Sequence, residues 1–183
     1  MIQATDNNNL TLPVRKRDHI QGPIDAPVVL VEYGDYECLY CGQAYLLIKE
    51  IQRRLGNKLC FVFRHFPLIQ LHPHTHKAAL VAEVAGAQGK FWQMHDTLFE
   101  HQQTLDDCHL VEYAVELELD ITRFLRDMSG RVYAKRVQQD FESGVSSGVS
   151  STPTFFINSF RYSGACHLEE LLAVIVEADE LCE

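Results

Sequence analysis

An α/β core carrying an all-helical insertion is the fold class this sequence predicts, and three observations predict it. Val28–Tyr33 and Leu59–Phe63 are near-continuous apolar runs, the signature of strands covered on both faces. One amphipathic helical segment lies between them, which makes a βαβ unit with a right-handed crossover. From Pro67 to about Ser151 the periodicity is helical throughout, and strand patterning returns only at Thr154. The boundaries that follow are 1–21 for a flexible N-terminal arm, 22–66 and 152–183 for the core, and 67–151 for the inserted helical subdomain.

Each element has its own local reason. Met1 to about Gln21 is polar and Asn-rich, with a basic knot at Arg15-Lys16-Arg17 that reads as a solvated face. At most it supplies an edge strand near Asp18–Ile20. Ala44, Leu47, Ile48, Ile51 and Leu55 recur at helical spacing opposite Lys49, Glu50, Arg53 and Arg54, and Gly56-Asn57 stops that helix. In the insertion, Pro73 suits a first helical position ahead of Ala78, Val81, Ala82 and Ala85, with an end near Gly86 or Gly89. Phe91, Met94, His95, Leu98 and Phe99 outline a second helix, and with Trp92 they read as helix-packing core. Asp106-Asp107 can cap a third helix carrying Leu110, Val111, Ala114 and Leu117, and Asp120 a short fourth through Phe124. Tyr133, Val137, Phe141 and Val145 step by four along a fifth. Asn158-Ser159 joins Thr154–Ile157 to Phe160–Tyr162 as a two-residue hairpin, although Ser is poorer than Gly at positive φ. From His167 onward, Leu168, Leu171, Leu172 and Ile175 form one face of a closing helix.

Composition removes several function classes. With 183 residues and 46% apolar content, the chain can bury a core without a metal or disulfide staple. A formal charge of −9, from 25 acidic against 16 basic residues, argues against nucleic acid as a partner. No apolar run approaches the ~18 residues a membrane span needs, so no membrane partner is expected. The first twenty residues contain no apolar signal region, and a cytoplasmic location is expected. In a reducing cytosol, six cysteines point to a catalytic or metal-binding pair plus buried thiols.

Cys38-Leu39-Tyr40-Cys41 falls where the first strand gives way to the first helix. Residues three apart on a helix have Cα atoms about 5 Å from each other, within reach of a disulfide. At a helix N-terminus, unpaired N–H groups and the macrodipole favour a thiolate, so Cys38 reads as the reactive sulfur and Cys41 as the more buried resolving one. Two free core thiols or half of a zinc site are the alternatives. Thr152-Pro153-Thr154 opens the later strand, where a proline, lacking a donor, is tolerated.

These residues carry a resemblance. Gly22–Val29, Glu32-Tyr33-Gly34-Asp35-Tyr36-Glu37-Cys38-Leu39-Tyr40-Cys41, Arg64-His65-Phe66-Pro67-Leu68, Lys90-Phe91-Trp92 and Thr152–Asn158 resemble, in order, blocks of the DsbA-like thiol-disulfide oxidoreductases of the thioredoxin superfamily. The resemblance implies a thioredoxin-like fold with an all-helical insertion. It implies Cys38 as exposed nucleophile, Cys41 as resolving thiol and Pro153 as the cis-proline beside them. Thr152 would pair through its backbone with a bound peptide by strand addition, with Tyr40 beside it. Glu32 matches a buried acid that takes the resolving thiol's proton, directly or through water; a surface acid at a strand edge is the other reading. The partners implied are protein or peptide thiols and disulfides and a glutathione- or thioredoxin-type redox system, with no cofactor and no metal.

Two departures from the family pattern matter. Leu39-Tyr40 lacks the Pro-His dipeptide of strongly oxidising members, so no imidazolium is expected beside Cys38, and Asp35 and Glu37 should oppose the thiolate. A moderately depressed Cys38 pKa follows. Ser151 and Ser159 stand where glycines are expected. Elsewhere, His72-Pro73-His74-Thr75-His76 invites a metal reading but fits a polar helix start better, and His65 reads as a strand-end packing residue. Cys60 reads as a buried hydrophobe, while Cys108, Cys166 and Cys182 lack close cysteine partners, Cys182 being the one expected to be exposed. The expected function is dithiol–disulfide exchange. A non-catalytic zinc-binding module using the cysteine pair and a glutathione-dependent transferase or isomerase on the same fold are its rivals.

Overall fold

The computed structural model describes residues 8–180, so Cys182 lies outside the described residues. Two strands, β1 (His19–Gln21) and β2 (Val28–Gly34), lead into helix α1 (Leu39–Leu55), a 3-10 turn at Gly56–Lys58 and strand β3 (Leu59–His65). Five helices follow: α2 (Thr75–Gly86), α3 (Phe91–Glu100), α4 (Asp107–Glu116), α5 (Ile121–Ser129) and α6 (Ala134–Ser146). Strands β4 (Thr154–Ile157) and β5 (Phe160–Arg161) and helix α7 (Leu168–Glu180) complete the chain. The sheet order is β1-β3-β2-β4-β5. Only β2 and β3 run parallel, as the crossover through α1 requires; the other neighbours are antiparallel.

Because side chains alternate across a strand, β2 and β3 feed two cores. Leu30, Phe61 and Phe63 join the larger cluster with α1, α7 and the inserted helices. Val31, Tyr33, Cys60 and Val62 form a second cluster on the opposite face, with Phe66, Phe156 and Leu10. Cys60 is a small hydrophobe in that layer. Glu32 falls on the α1 side by the same alternation, and that places a carboxylate beneath the helix carrying the cysteines.

Three expectations are corrected. Residues 8–18 are not loose: Leu10 is buried, its N–H donates to the Ser159 carbonyl at 2.8 Å, and Asn8 accepts from Arg161 N–H. The sequence conceals this because backbone hydrogen bonds to an edge strand need no apolar pattern. The buried Arg64 guanidinium completes the anchor, donating to the carbonyls of Leu12 and Pro13 and to both carboxylate oxygens of Asp18. Pro73 stands two residues before the first helical residue, and His74 is the N-cap. On α6, Val145 is exposed while Asp140, Ser143 and Gly144 are buried. That face packs through small and polar groups, since a Cβ on Gly144 would meet Phe66 at 2.6 Å and Tyr33 at 3.0 Å. The Asn158-Ser159 hairpin is present, with both residues at positive φ, +45° and +74°.

Candidate active site

Strand β2 ends at Gly34, and the chain turns through Asp35-Tyr36-Glu37 so that Cys38 becomes the N-cap of α1. No side chain caps this helix, which leaves its first N–H groups free to serve the Cys38 sulfur. Cys38 keeps 6% of its surface exposed and Cys41 none. The expectation of an openly exposed nucleophile is thus corrected. Cys38 is the outer sulfur of the pair, but Leu39 and Tyr40, at 62% and 67% exposed, stand out beyond it. The Cys38 thiol donates to the Thr152 carbonyl at 3.3 Å, and the Cys41 sulfur accepts from Asp35 N–H at 3.5 Å.

The two thiols differ in acidity for physical reasons. Cys38 is lowered from 9.0 to about 5. A hydrogen bond from the Cys41 thiol is the largest contribution; burial opposes it, and the Thr152 hydroxyl and the backbone N–H groups of Cys41 and Tyr40 add to it. The Thr152 Oγ1 is buried without a hydrogen-bond partner while Cys38 is a thiol, so its hydrogen is free to turn to the thiolate. Cys41 is pushed well above its usual value, first by burial, then by donating to Cys38 and by the Glu32 charge. Glu32 is no surface acid. It is 2% exposed, its Oε1 has no hydrogen-bond partner, and burial followed by the Cys38 charge raises it from 4.5 to about 8. Gly34 leaves room first for the Phe63 ring, which a Cβ there would meet at 2.4 Å, and then for that oxygen at 3.2 Å.

Asp35 and Glu37 do not act as free charges against the thiolate. The Asp35 carboxylate accepts from Glu37 N–H, Leu68 N–H and the Thr75 hydroxyl and contacts His72 Nδ1 at 2.9 Å; Glu37 accepts from His74 N–H. Both acids are occupied in tying the segment after β3 to the cysteine loop. The same ties bring an imidazole to the site by a route other than the dipeptide. Burial lowers the His72 pKa, but the hydrogen bond and charge of Asp35, with the Cys38 charge, give a net upward shift.

The Thr152–Pro153 peptide bond is cis. A groove of about 420 Å³ begins at Pro153 and runs along Ser151, Thr154, Phe155, Tyr162 and Cys166. Gln102, in the turn after α3, escaped the sequence reading: its Nε2 donates to the carbonyls of Tyr36 at 2.8 Å and Cys38 at 2.9 Å. No sequence signal marks it, because the glutamine lies far along the chain in a helical stretch.

His72 and His76 do not converge: His72 lies on Asp35 and His76 is exposed. One group among the described residues has cation-ligand spacing, His19, His65 and Glu83, and neither cysteine of the pair belongs to it. Both imidazoles contact Glu83 Oε1, at 2.7 and 3.0 Å, and Arg136 lies 3.9 Å from the same oxygen. That set reads as a compensated buried charge network. It ties β1, β3, α2 and α6 together. His65 therefore does more than pack at a strand end.

Known proteins agree with this architecture. Among solved structures, BdbD from Bacillus subtilis superposes with TM-score 0.79 at 23% identity, over 89% of this chain and 93% of that one. Wolbachia pipientis alpha-DsbA1 superposes with TM-score 0.82 at 21% identity, over 96% and 97%. Among curated relatives, Na(+)/H(+) antiporter NhaA 1 of Salinispora arenicola is 44% identical over 171 residues, 93% of this chain and 26% of its own length. Na(+)/H(+) antiporter NhaA of Herminiimonas arsenicoxydans is 41% identical over 158 residues, 86% and 25%. The chain thus spans about a quarter of the length of these relatives, and no described helix is long and apolar enough to cross a membrane. A family profile described as thioredoxin matches residues 15–177, and with the DsbA-like fold this establishes that the chain belongs to the thioredoxin family.

Proposed function

We propose that this chain exchanges a Cys38–Cys41 dithiol/disulfide with protein or peptide substrates, and that a glutathione- or thioredoxin-type system returns it to its starting state. One observation carries the reading: two sulfurs a helical turn apart, the outer lowered to about 5 and the inner raised well above 9.0. At neutral pH the outer sulfur is a thiolate and the inner one a protonated thiol, which fixes the order of events.

In the reducing direction, the Cys38 thiolate attacks one sulfur of a substrate disulfide. A Cys38–substrate bond forms, the substrate S–S bond breaks, and one substrate thiolate leaves. Cys38 then carries no charge, and the repulsion it exerts on Glu32 ends. Glu32 then gives up its own proton to solvent more readily, and the resulting carboxylate accepts the Cys41 proton. The Cys41 thiolate attacks Cys38 Sγ, the internal disulfide forms, and the second substrate thiolate departs. Two electrons pass to the substrate. Oxidation is the same sequence reversed, so the couple's potential and the compartment set the direction.

The groove beginning at Pro153 supports strand-addition binding of an extended peptide at Thr152. Tyr40, exposed two residues after Cys38, offers apolar area to a bound peptide. The test uses Cys41→Ser and a peptide carrying a disulfide. The variant should accumulate a covalent adduct at Cys38 visible by intact mass, and the wild type should release reduced peptide. Exchange that persists in Cys38→Ser, or no adduct in Cys41→Ser, refutes the proposal. Stoichiometric zinc bound by the pair, with no disulfide formed under mild oxidant, would favour the zinc-binding rival.

A further inference from the structure

Besides the ties to Asp35 and Glu37, the helical insertion reaches the backbone carbonyls of the cysteine loop through the turn after α3. Gln102 Nε2 donates to the carbonyls of Tyr36 and Cys38. The Cys38 carbonyl also accepts the first helical hydrogen bond of α1, from Gly42 N–H at 3.1 Å. These two carbonyl oxygens bear partial negative charge in the loop that holds the thiolate. An amide that binds both fixes the backbone of that loop and offsets the two dipoles.

Gly42 makes the approach possible. A Cβ built there would stand 2.0 Å from Gln102 Oε1 and 2.7 Å from its Cδ, distances at which the amide must shift from this position. Glycine inside a helix is otherwise a loss, because it sacrifices more backbone freedom than alanine on folding. Its φ is unexceptional, since it is absent from the positive-φ glycines. Space for Gln102, rather than backbone conformation, accounts for this glycine.

We propose that Gln102 is a positioning residue for the exchange reaction, acting through the Tyr36 and Cys38 carbonyls, and that Gly42 is the vacancy in α1 that admits it. The proposal rests on the exchange reading given above. It assigns the helical insertion a part in setting how readily Cys38 holds charge. The effect differs between redox states because only the reduced form places a full negative charge on that sulfur; in the disulfide the sulfur is neutral and the carbonyl dipoles matter little. Removing the amide therefore disfavours the reduced thiolate form and makes the couple more reducing.

The experiment measures the Cys38–Cys41 equilibrium against glutathione, the pH dependence of Cys38 alkylation and the thermal midpoint. The proteins are wild type, Gln102→Ala, Gln102→Glu, Gly42→Ala and the Gly42→Ala/Gln102→Ala double variant. With a neutral hydrogen bond lost, Gln102→Ala should move the equilibrium about twofold to tenfold toward disulfide, with Cys38 alkylation shifted to higher pH. Tenfold corresponds to about 30 mV for this two-electron couple. Gln102→Glu, which adds a negative charge and removes the donor, should shift it further the same way. Gly42→Ala should reproduce the Gln102→Ala shift while keeping or raising the thermal midpoint, because alanine favours the helix. The double variant should add nothing to the larger single effect. A merely structural role predicts the reverse pattern: lower midpoints with an unmoved equilibrium. Unmoved equilibrium and alkylation profiles in Gln102→Ala, or additive shifts in the double variant, overturn the inference. A wild type with no measurable couple overturns the exchange reading itself, so the two failures are distinguishable.

Discussion

Replacing Glu32 by Gln removes a buried titratable carboxyl beneath the cysteines. The folded-state pKa of Glu32 is raised from 4.5 to about 8, so between those values the folded protein holds a proton that the unfolded chain has released. Stability from this group is full below 4.5 and falls as pH rises toward 8. At 1.36 kcal/mol per unit, the 2.5 units from 4.5 to pH 7 amount to about 3 kcal/mol for this fully buried carboxyl. Cys38 acts in the opposite sense. Its folded value of about 5 lies below the unfolded 9.0, so its contribution grows as pH rises through that window. The two slopes oppose each other in the reduced wild type. Glu32→Gln keeps the shape, removes the carboxyl titration and exposes the Cys38 slope. The assay is urea unfolding of both reduced proteins at half-unit pH intervals. The midpoint of the variant should climb with pH relative to wild type, by an amount equivalent to about 3 kcal/mol at pH 7. Parallel profiles would show that burial does not raise Glu32, and the reasoning from its altered acidity would fail.

Other expectations follow from single contacts. Iodoacetamide should label Cys38 with a midpoint near pH 5, and a midpoint close to 9.0 would remove the thiolate from the proposed mechanism. Ser159→Gly relieves a serine held at φ +74° and should raise stability by about 0.5–1 kcal/mol in urea unfolding; a loss would mean the hydroxyl stabilises the turn. Asp18→Asn removes the charge partner of the buried Arg64, and should cost about 3–5 kcal/mol by the same method, with the N-terminal segment becoming protease-sensitive. An effect below 1 kcal/mol would show that the Leu12 and Pro13 carbonyls already satisfy the guanidinium.

Much of the core was legible in the chain itself. The β-branched run Val28–Tyr33, the α1 stripe of Ala44, Ile48 and Ile51, and the Asp106 and Asp120 caps are local patterns, and each appears where those patterns place it. The C-x-x-C spacing and its place at a helix start were equally local. Other features depend on residues distant in sequence. Tyr45 joins the buried face of α1, and α6 buries Asp140 and Ser143 while exposing Val145, because partners on β3 and β2 satisfy those polar groups. Asp35 and Glu37 look like free acids in sequence; only folding shows each one occupied by donors from the segment after β3.

The order of hydrophobic and turn residues alone determined the strand–helix–strand core, the helical insertion and the presence of two sulfurs one turn apart. Tertiary structure decided how far each sulfur departs from ordinary acidity, because that depends on desolvation, on the Thr152 side chain beside Cys38 and on the Glu32 charge beside Cys41 as well as on the local Cys38–Cys41 hydrogen bond. Thr152 is distant along the chain and reaches Cys38 only through the fold. A periodic pattern records which side of an element is buried; it carries no record of which group waits there.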